Sequence, residues 1–137
     1  MYRPLSIFML LLALVPVSIA QATILRVGTG TGCTHATIQD AINVAQTPGV
    51  QVDEVRVSRS VSWTAQALVV NTSKPVNLHG GYATCAQDVA DSIATEVSGA
   101  GGSAAPVFRI TANAGGLVRL RRFFITGGDV SGDGYGG

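Results

Sequence analysis

Charge is scarce in this 137-residue chain. Asp, Glu, Lys and Arg together make up 12% of it, and aromatic residues 6%. Nine basic residues stand against eight acidic ones, so the basic field that nucleic acid or an anionic membrane surface requires is missing. Nucleotide loops are missing too. The GTGTG stretch at 28–32 has neither the Rossmann G-x-G-x-x-G spacing nor a Walker lysine, and it fits a loop joining a strand to a helix. No set of Cys and His has zinc-ligand spacing. Asp53 and Glu54 are adjacent, so on a strand they leave opposite faces and cannot work as a carboxylate pair. Asp88 and Asp91 have no third ligand in register with them. After the first twenty or so residues, no apolar run approaches the roughly 20 residues that span a bilayer.

What is present begins with a leader. Arg3 precedes an apolar run over 5–15 that breaks at Pro16, and Ala20-Gln21-Ala22 forms an A-x-A exit, with Ser18-Ile19-Ala20 one step earlier. That order describes a secretory signal peptide over 1–22, and the run is shorter than a transmembrane anchor needs. The mature chain would hold about 115 residues, one modest domain. All 17 glycines fall after the leader, well above the usual share of about 7%. A glycine-rich, weakly charged chain of this kind points to all-β structure with many tight turns. Cys33 and Cys85 are the two cysteines. In an exported chain an even count favours a disulfide over two free thiols or half a metal site. Such a bridge contributes about 3–4 kcal/mol on the chain-entropy account.

Periodicity then divides the mature chain. Ile38, Ala41, Ile42 and Ala45 recur at helical spacing, with Thr37 as N-cap, Asp40 three residues on, and Thr47-Pro48-Gly49 as the stop. Elsewhere the period is two. Val55 and Val57 share a face, as do Val76 and Leu78, Phe108 and Ile110, and Val118 and Leu120. Trp63 lies in a polar segment and is expected to pack over an edge. Asn113-Ala114-Gly115-Gly116 is a turn. Three stretches share one form, a short apolar strand, a polar residue and then glycine: VNLHGG at 76–81, TEVSGAG at 95–101 and FFITGG at 123–128. Their first glycines, Gly80, Gly99 and Gly127, are 19 and 28 residues apart. A degenerate period of this length marks a coil with several short strands per turn.

The segment GTGTGCTHATIQDAINVA, the short strands after it and the ending LVRLRRFFITGGDVSGDGYGG together resemble secreted right-handed parallel β-helix proteins of the pectin-lyase-like superfamily, particularly bacterial exported members. The resemblance covers most of the mature chain. It implies an all-β fold, a right-handed parallel β-helix of about four coils, with residues 37–46 as the α-helix capping its N-terminal end. Residues 23–50 would form the first strand and the cap, and 51–137 the rungs. A stack ending in a glycine-rich turn without a cap is expected either to continue into further rungs or to self-associate.

Enzymes of that superfamily cleave acidic polysaccharides with calcium-binding aspartates or clustered aspartates on neighbouring coils, and no such catalytic set is found here. Arg119 and Arg121 share an outward face and are candidates for a uronate carboxylate, the alternative being a solvated strand face. Asp129, Ser131 and Asp133 follow the first half of a calcium loop, D-x-[DN]-x-[DN]-G, with serine as a weak ligand; turn geometry favours a plain polar turn there. His35 and His79 are expected to be structural. The expected function is an exported, non-catalytic segment of a surface or extracellular protein with polysaccharide as a partner. The alternative is the N-terminal part of a polysaccharide lyase or glycoside hydrolase.

Overall fold

Short alternating runs need partners, and glycine and proline between them set where each run stops. A computed structural model describes residues 23–99 and 106–128; the leader and the calcium candidate Asp129, Ser131 and Asp133 lie outside the described residues. Within them the order is β1 (Ile24–Val27), α1 (Ile38–Gln46), β2 (Glu54–Ser58), β3 (Leu68–Thr72), β4 (Pro75–Tyr82), β5 (Thr95–Ser98), β6 (Phe108–Ala112), β7 (Leu117–Arg121) and β8 (Phe123–Thr126). The described residues are mostly strand with one short helix, as an all-β fold requires. Among the described residues, no helix is long and apolar enough to cross a membrane.

Every ladder among the described residues is parallel. The first sheet runs β1-β2-β4-β7, the second pairs β3 with β6, and the third pairs β5 with β8. From β4 onward the chain visits the first, third, second, first and third sheets in turn. A parallel pair cannot be closed by a tight hairpin, so a crossover joins each one: α1 lies between β1 and β2, and at least one other strand lies between the members of every other pair. Asn113-Ala114-Gly115-Gly116 accordingly turns the chain from the second sheet into the first rather than closing β6 on β7.

All three sheets contribute to one core, with Val27, Val55, Val57 and Leu78 from the first, Leu68 and Val70 from the second and Val97 from the third. Helix α1 adds Ile38, Ala41, Ile42 and Ala45, the four residues expected at helical spacing. Thr37 caps it, its hydroxyl accepting the Asp40 N–H at 3.1 Å. The helix also covers the edge of β3. Gln39 accepts the Val69 N–H at 2.8 Å and donates to the Val69 carbonyl at 3.0 Å, and Gln46 accepts the Asn71 N–H at 3.0 Å. These amides stand in for a neighbouring strand, which is how an exposed edge is kept from pairing elsewhere. At the far side β6, β7 and β8 are each the last strand of their sheet. Ile110 and Ile125 are 44% exposed there, although they are in register with the buried Val70 and Val97.

The Cys33–Cys85 disulfide is formed and ties the loop after β1 to the loop after β4. Trp63 corrects an expectation: it is 5% exposed within the core, not laid over an edge, and its indole N–H donates to the Ser58 carbonyl at 2.8 Å. The polar neighbours of Trp63 hid this, because it meets the third sheet through a single bridge to Val97 rather than through an alternating strand. The repeat also needs revision. TEVS and FFIT do stack, with Thr95 opposite Phe123, but VNLHGG belongs to the first sheet and pairs with β7, Val76 opposite Val118.

Gly80 shows how close the sheets come where they meet. A Cβ there would lie 2.5 Å from the Arg122 carbonyl oxygen and 2.8 Å from the Thr95 Cβ. Thr95 is fully buried, its hydroxyl accepting the Gly81 N–H at 2.8 Å and donating to the Val57 carbonyl at 3.0 Å, so one side chain joins β2, β4 and β5. Gly80→Ala should therefore lower the unfolding free energy by about 1–3 kcal/mol, the usual cost of overpacking. Urea denaturation at unchanged slope checks it, and an unaltered midpoint would contradict the close approach.

Candidate functional site

The first sheet exposes its outward face, and register stacks side chains on it in columns roughly 4.8 Å apart. One column reads Arg26, Arg56, His79, Arg121; beside it Asn77 lies opposite Arg119. Cationic groups stacked this closely repel one another, and carboxylates lie beside the first three members of the column. Asp88, from the disulfide loop, pairs with Arg26 at 2.5 Å and Arg56 at 3.4 Å. Arg26 also donates to the Cys85 carbonyl at 2.5 Å, so the bridge loop is held against this face. Glu54 accepts from Arg56 Nε at 2.7 Å, and its other oxygen lies 2.8 Å from His79 Nδ1. Tyr82 completes the cluster, its hydroxyl 3.2 Å from the same nitrogen and its ring 5.2 Å from the Arg56 guanidinium.

Neutralisation stops there. Among the described residues, no carboxylate lies within ion-pair distance of Arg119 or Arg121. Among the described residues, the Arg119 side chain makes one hydrogen bond, a long one of 3.5 Å to Asn77. Both arginines are exposed on β7, as the alternation predicted. They border a groove of about 220 Å³ with Asp53, Glu54, Asn77 and His79. No protein-family model, curated protein or solved structure matches this chain. The groove must be understood from its chemistry alone.

Sequence reasoning placed Arg119 and Arg121 together but missed Glu54, Asn77 and His79 beside them. Asp53 and Glu54 both border the groove, and Asp53 lies just before the first residue of β2. They still form no carboxylate pair: the Asp53 carboxylate accepts the Thr23 N–H at 2.7 Å, while Glu54 is held by Arg56 and His79. Asp88 and Asp91 are structural ion-pair partners, of Arg26 and Arg56 and of Arg59 respectively. His35 fits a structural role, its Nδ1 2.9 Å from the Thr34 hydroxyl. Among the described residues, no three His, Cys, Asp or Glu side chains converge as metal ligands.

Burial alone would push the Glu54 pKa up, but the hydrogen bonds from Arg56 and His79 outweigh it and hold the carboxyl below its ordinary range. Burial likewise opposes the Arg56 charge, and the bond to Glu54 overcomes it, keeping the guanidinium pKa above normal. Burial and the Glu54 charge raise the Tyr82 phenol. Exposed Asp88 is lowered by its hydrogen bond and charge interaction with Arg26. The carboxylate at the groove is thus fixed as an anion that accepts hydrogen bonds, and the two arginines are the groups able to take a further anion.

A folded-state pKa below the unfolded one means that Glu54 stabilises the fold fully above the unfolded carboxylate pKa, a contribution lost as pH falls through the depressed folded value. Glu54→Gln should be less stable than the natural chain at neutral pH, and the gap should close as pH drops below about 4. Urea midpoints between neutral and acid pH test this. A gap independent of pH would show that Glu54 is not held as an ion.

Proposed function

We propose that this chain is an exported, non-catalytic segment of a surface or extracellular protein, wound as a short right-handed parallel β-helix and contacting acidic carbohydrate through Arg119 and Arg121. The observation that carries the contact is the arginine pair left without carboxylate partners beside an open groove. Guanidinium forks suit carboxylates, and spacing along one face of a strand allows both to meet groups on one polymer. Two observations support the winding: the recurring visit to three parallel sheets around a single core, and α1 packed at its start. The signal-like start and the disulfide support export. They fit the likeness to pectin-lyase-like proteins.

A second reading is favoured by the open edges of β6, β7 and β8 and their half-exposed inner residues. Among the described residues these edges have no further partner strand, and open parallel edges call for one, from the same chain or from another copy. On that reading the segment is the N-terminal part of a polysaccharide lyase or glycoside hydrolase whose catalytic strands follow.

The contact is tested with a soluble polyuronate. Binding should weaken with salt, and replacing Arg119 and Arg121 by Ala should weaken it about tenfold or more at unchanged thermal stability. Equal binding by the double variant would overturn the assignment.

A further inference from the structure

Thr23 stands directly after the A-x-A exit at 20–22, and its backbone N–H donates to Asp53 Oδ2 at 2.7 Å. Strand pairing sets this contact. The Asp53 N–H donates to the Thr23 carbonyl at 3.0 Å, and the residues that follow, Ile24 and Glu54, are the first register partners of β1 and β2. Thr23 and Asp53 are both exposed. Among the described residues, no side-chain cation lies within ion-pair distance of Asp53. Asp53 borders the arginine groove and, with Lys74, a neighbouring cavity of about 280 Å³. The other charged groups around it have their own partners. Glu54 is held by Arg56 and His79, the Lys74 ammonium donates to the carbonyls of Thr47 and Val50, and Arg119 meets Asn77.

As a peptide nitrogen, Thr23 brings one N–H and no charge. As a chain terminus it brings an α-ammonium group, with three donors and a full positive charge, to the same carboxylate. The two exits in the leader differ in this respect. A cut after Ala22 leaves Thr23 at the end of the chain, whereas a cut after Ala20 leaves Gln21 there and keeps Thr23 a neutral amide.

We propose that the leader is removed between Ala22 and Thr23, and that the α-ammonium group so formed pairs with Asp53 and sets the charge of the arginine groove. A peptidase adds water across the Ala22–Thr23 bond. The water oxygen joins the Ala22 carbonyl carbon and the Thr23 nitrogen takes both protons, so a carboxylate leaves with the leader and an ammonium stays. A charge-assisted hydrogen bond is roughly twice as strong as a neutral one, so cleavage tightens a contact that strand pairing has already placed. With Asp53 neutralised and Glu54 bound by Arg56 and His79, Arg119 and Arg121 set the net charge of the groove. The pair follows from export as proposed above, and its effect on binding rests on the carbohydrate contact.

The full chain is expressed with its leader and recovered after export. Its intact mass should be that of residues 23–137. A chain starting at Gln21 would overturn the proposal, and an uncleaved chain would overturn it together with export. The Thr23 Cα–H and Cβ–H resonances are then followed with pH. A neighbouring carboxylate favours the charged amine, so the midpoint should lie above the ordinary α-amino range of about 7.7–8.0, and Asp53→Asn should bring it back. A midpoint within that range in the natural chain, or one that Asp53→Asn does not move, would overturn the ion pair. Lys74 is the one lysine of the chain, so in exported Lys74→Arg protein the Thr23 amine is the only one, and acetylating it restores the amide of the precursor. Polyuronate affinity should then fall about twofold or more. Undiminished affinity would overturn the role of the pair in the groove. Binding by neither form would overturn the carbohydrate contact instead, with the ion pair still decided by the titration.

Discussion

Parallel pairing is the constraint on which everything else in this protein rests. A parallel strand cannot reach its partner through a tight turn; a crossover must lie between them. Leu68 waits for Phe108, Pro75 for Leu117 and Thr95 for Phe123. No single strand buries enough surface to hold on its own. Once stacked, Val and Leu from three sheets and Ile from α1 fill one interior, and the connections carry the polar and glycine-rich sequence. The few charges are left on the outward faces, and Gly80 permits the approach that lets Thr95 join three strands.

In-register stacking has an electrostatic consequence. Arg26, Arg56, His79 and Arg121 fall in one column whether or not their charges are compatible. Asp88 and Glu54 relieve that column at its start, and the disulfide loop brings Asp88 into place. Relief ends at the last strand, where Arg121 and its neighbour Arg119 face an open groove. On the third sheet Glu96 and the exposed Phe124 lie side by side on the outward face.

Local periodicity made the helix legible, down to its cap at Thr37 and its four buried residues, because helical spacing is complete within a dozen positions. Alternation likewise set which residues of each strand face inward. Register was harder. The glycine step between TEVSG and FFITG is a true stacking distance, since Gly99 and Gly127 follow the paired Ser98 and Thr126. VNLHGG has the same local form yet belongs to another sheet, and nothing within six residues distinguishes the two cases. The site shows the same divide. Arg119 and Arg121 are two apart on one strand and could be placed together, whereas Glu54 and His79 meet only through the β2–β4 pairing. Trp63 was misplaced because a lone bridge leaves no periodic trace.

The central claim is that the strands pair in parallel across long separations, and it is tested most directly by interstrand nuclear Overhauser effects in isotope-labelled protein. The account predicts contacts between Val76 and Val118, Leu68 and Phe108, and Thr95 and Phe123. Contacts running antiparallel between 108–112 and 117–121, as in a hairpin closed at Asn113-Ala114-Gly115-Gly116, would contradict it. Arg119 and Arg121 would then no longer stack on β4, and the groove they border with Asn77 and His79 would have to be abandoned.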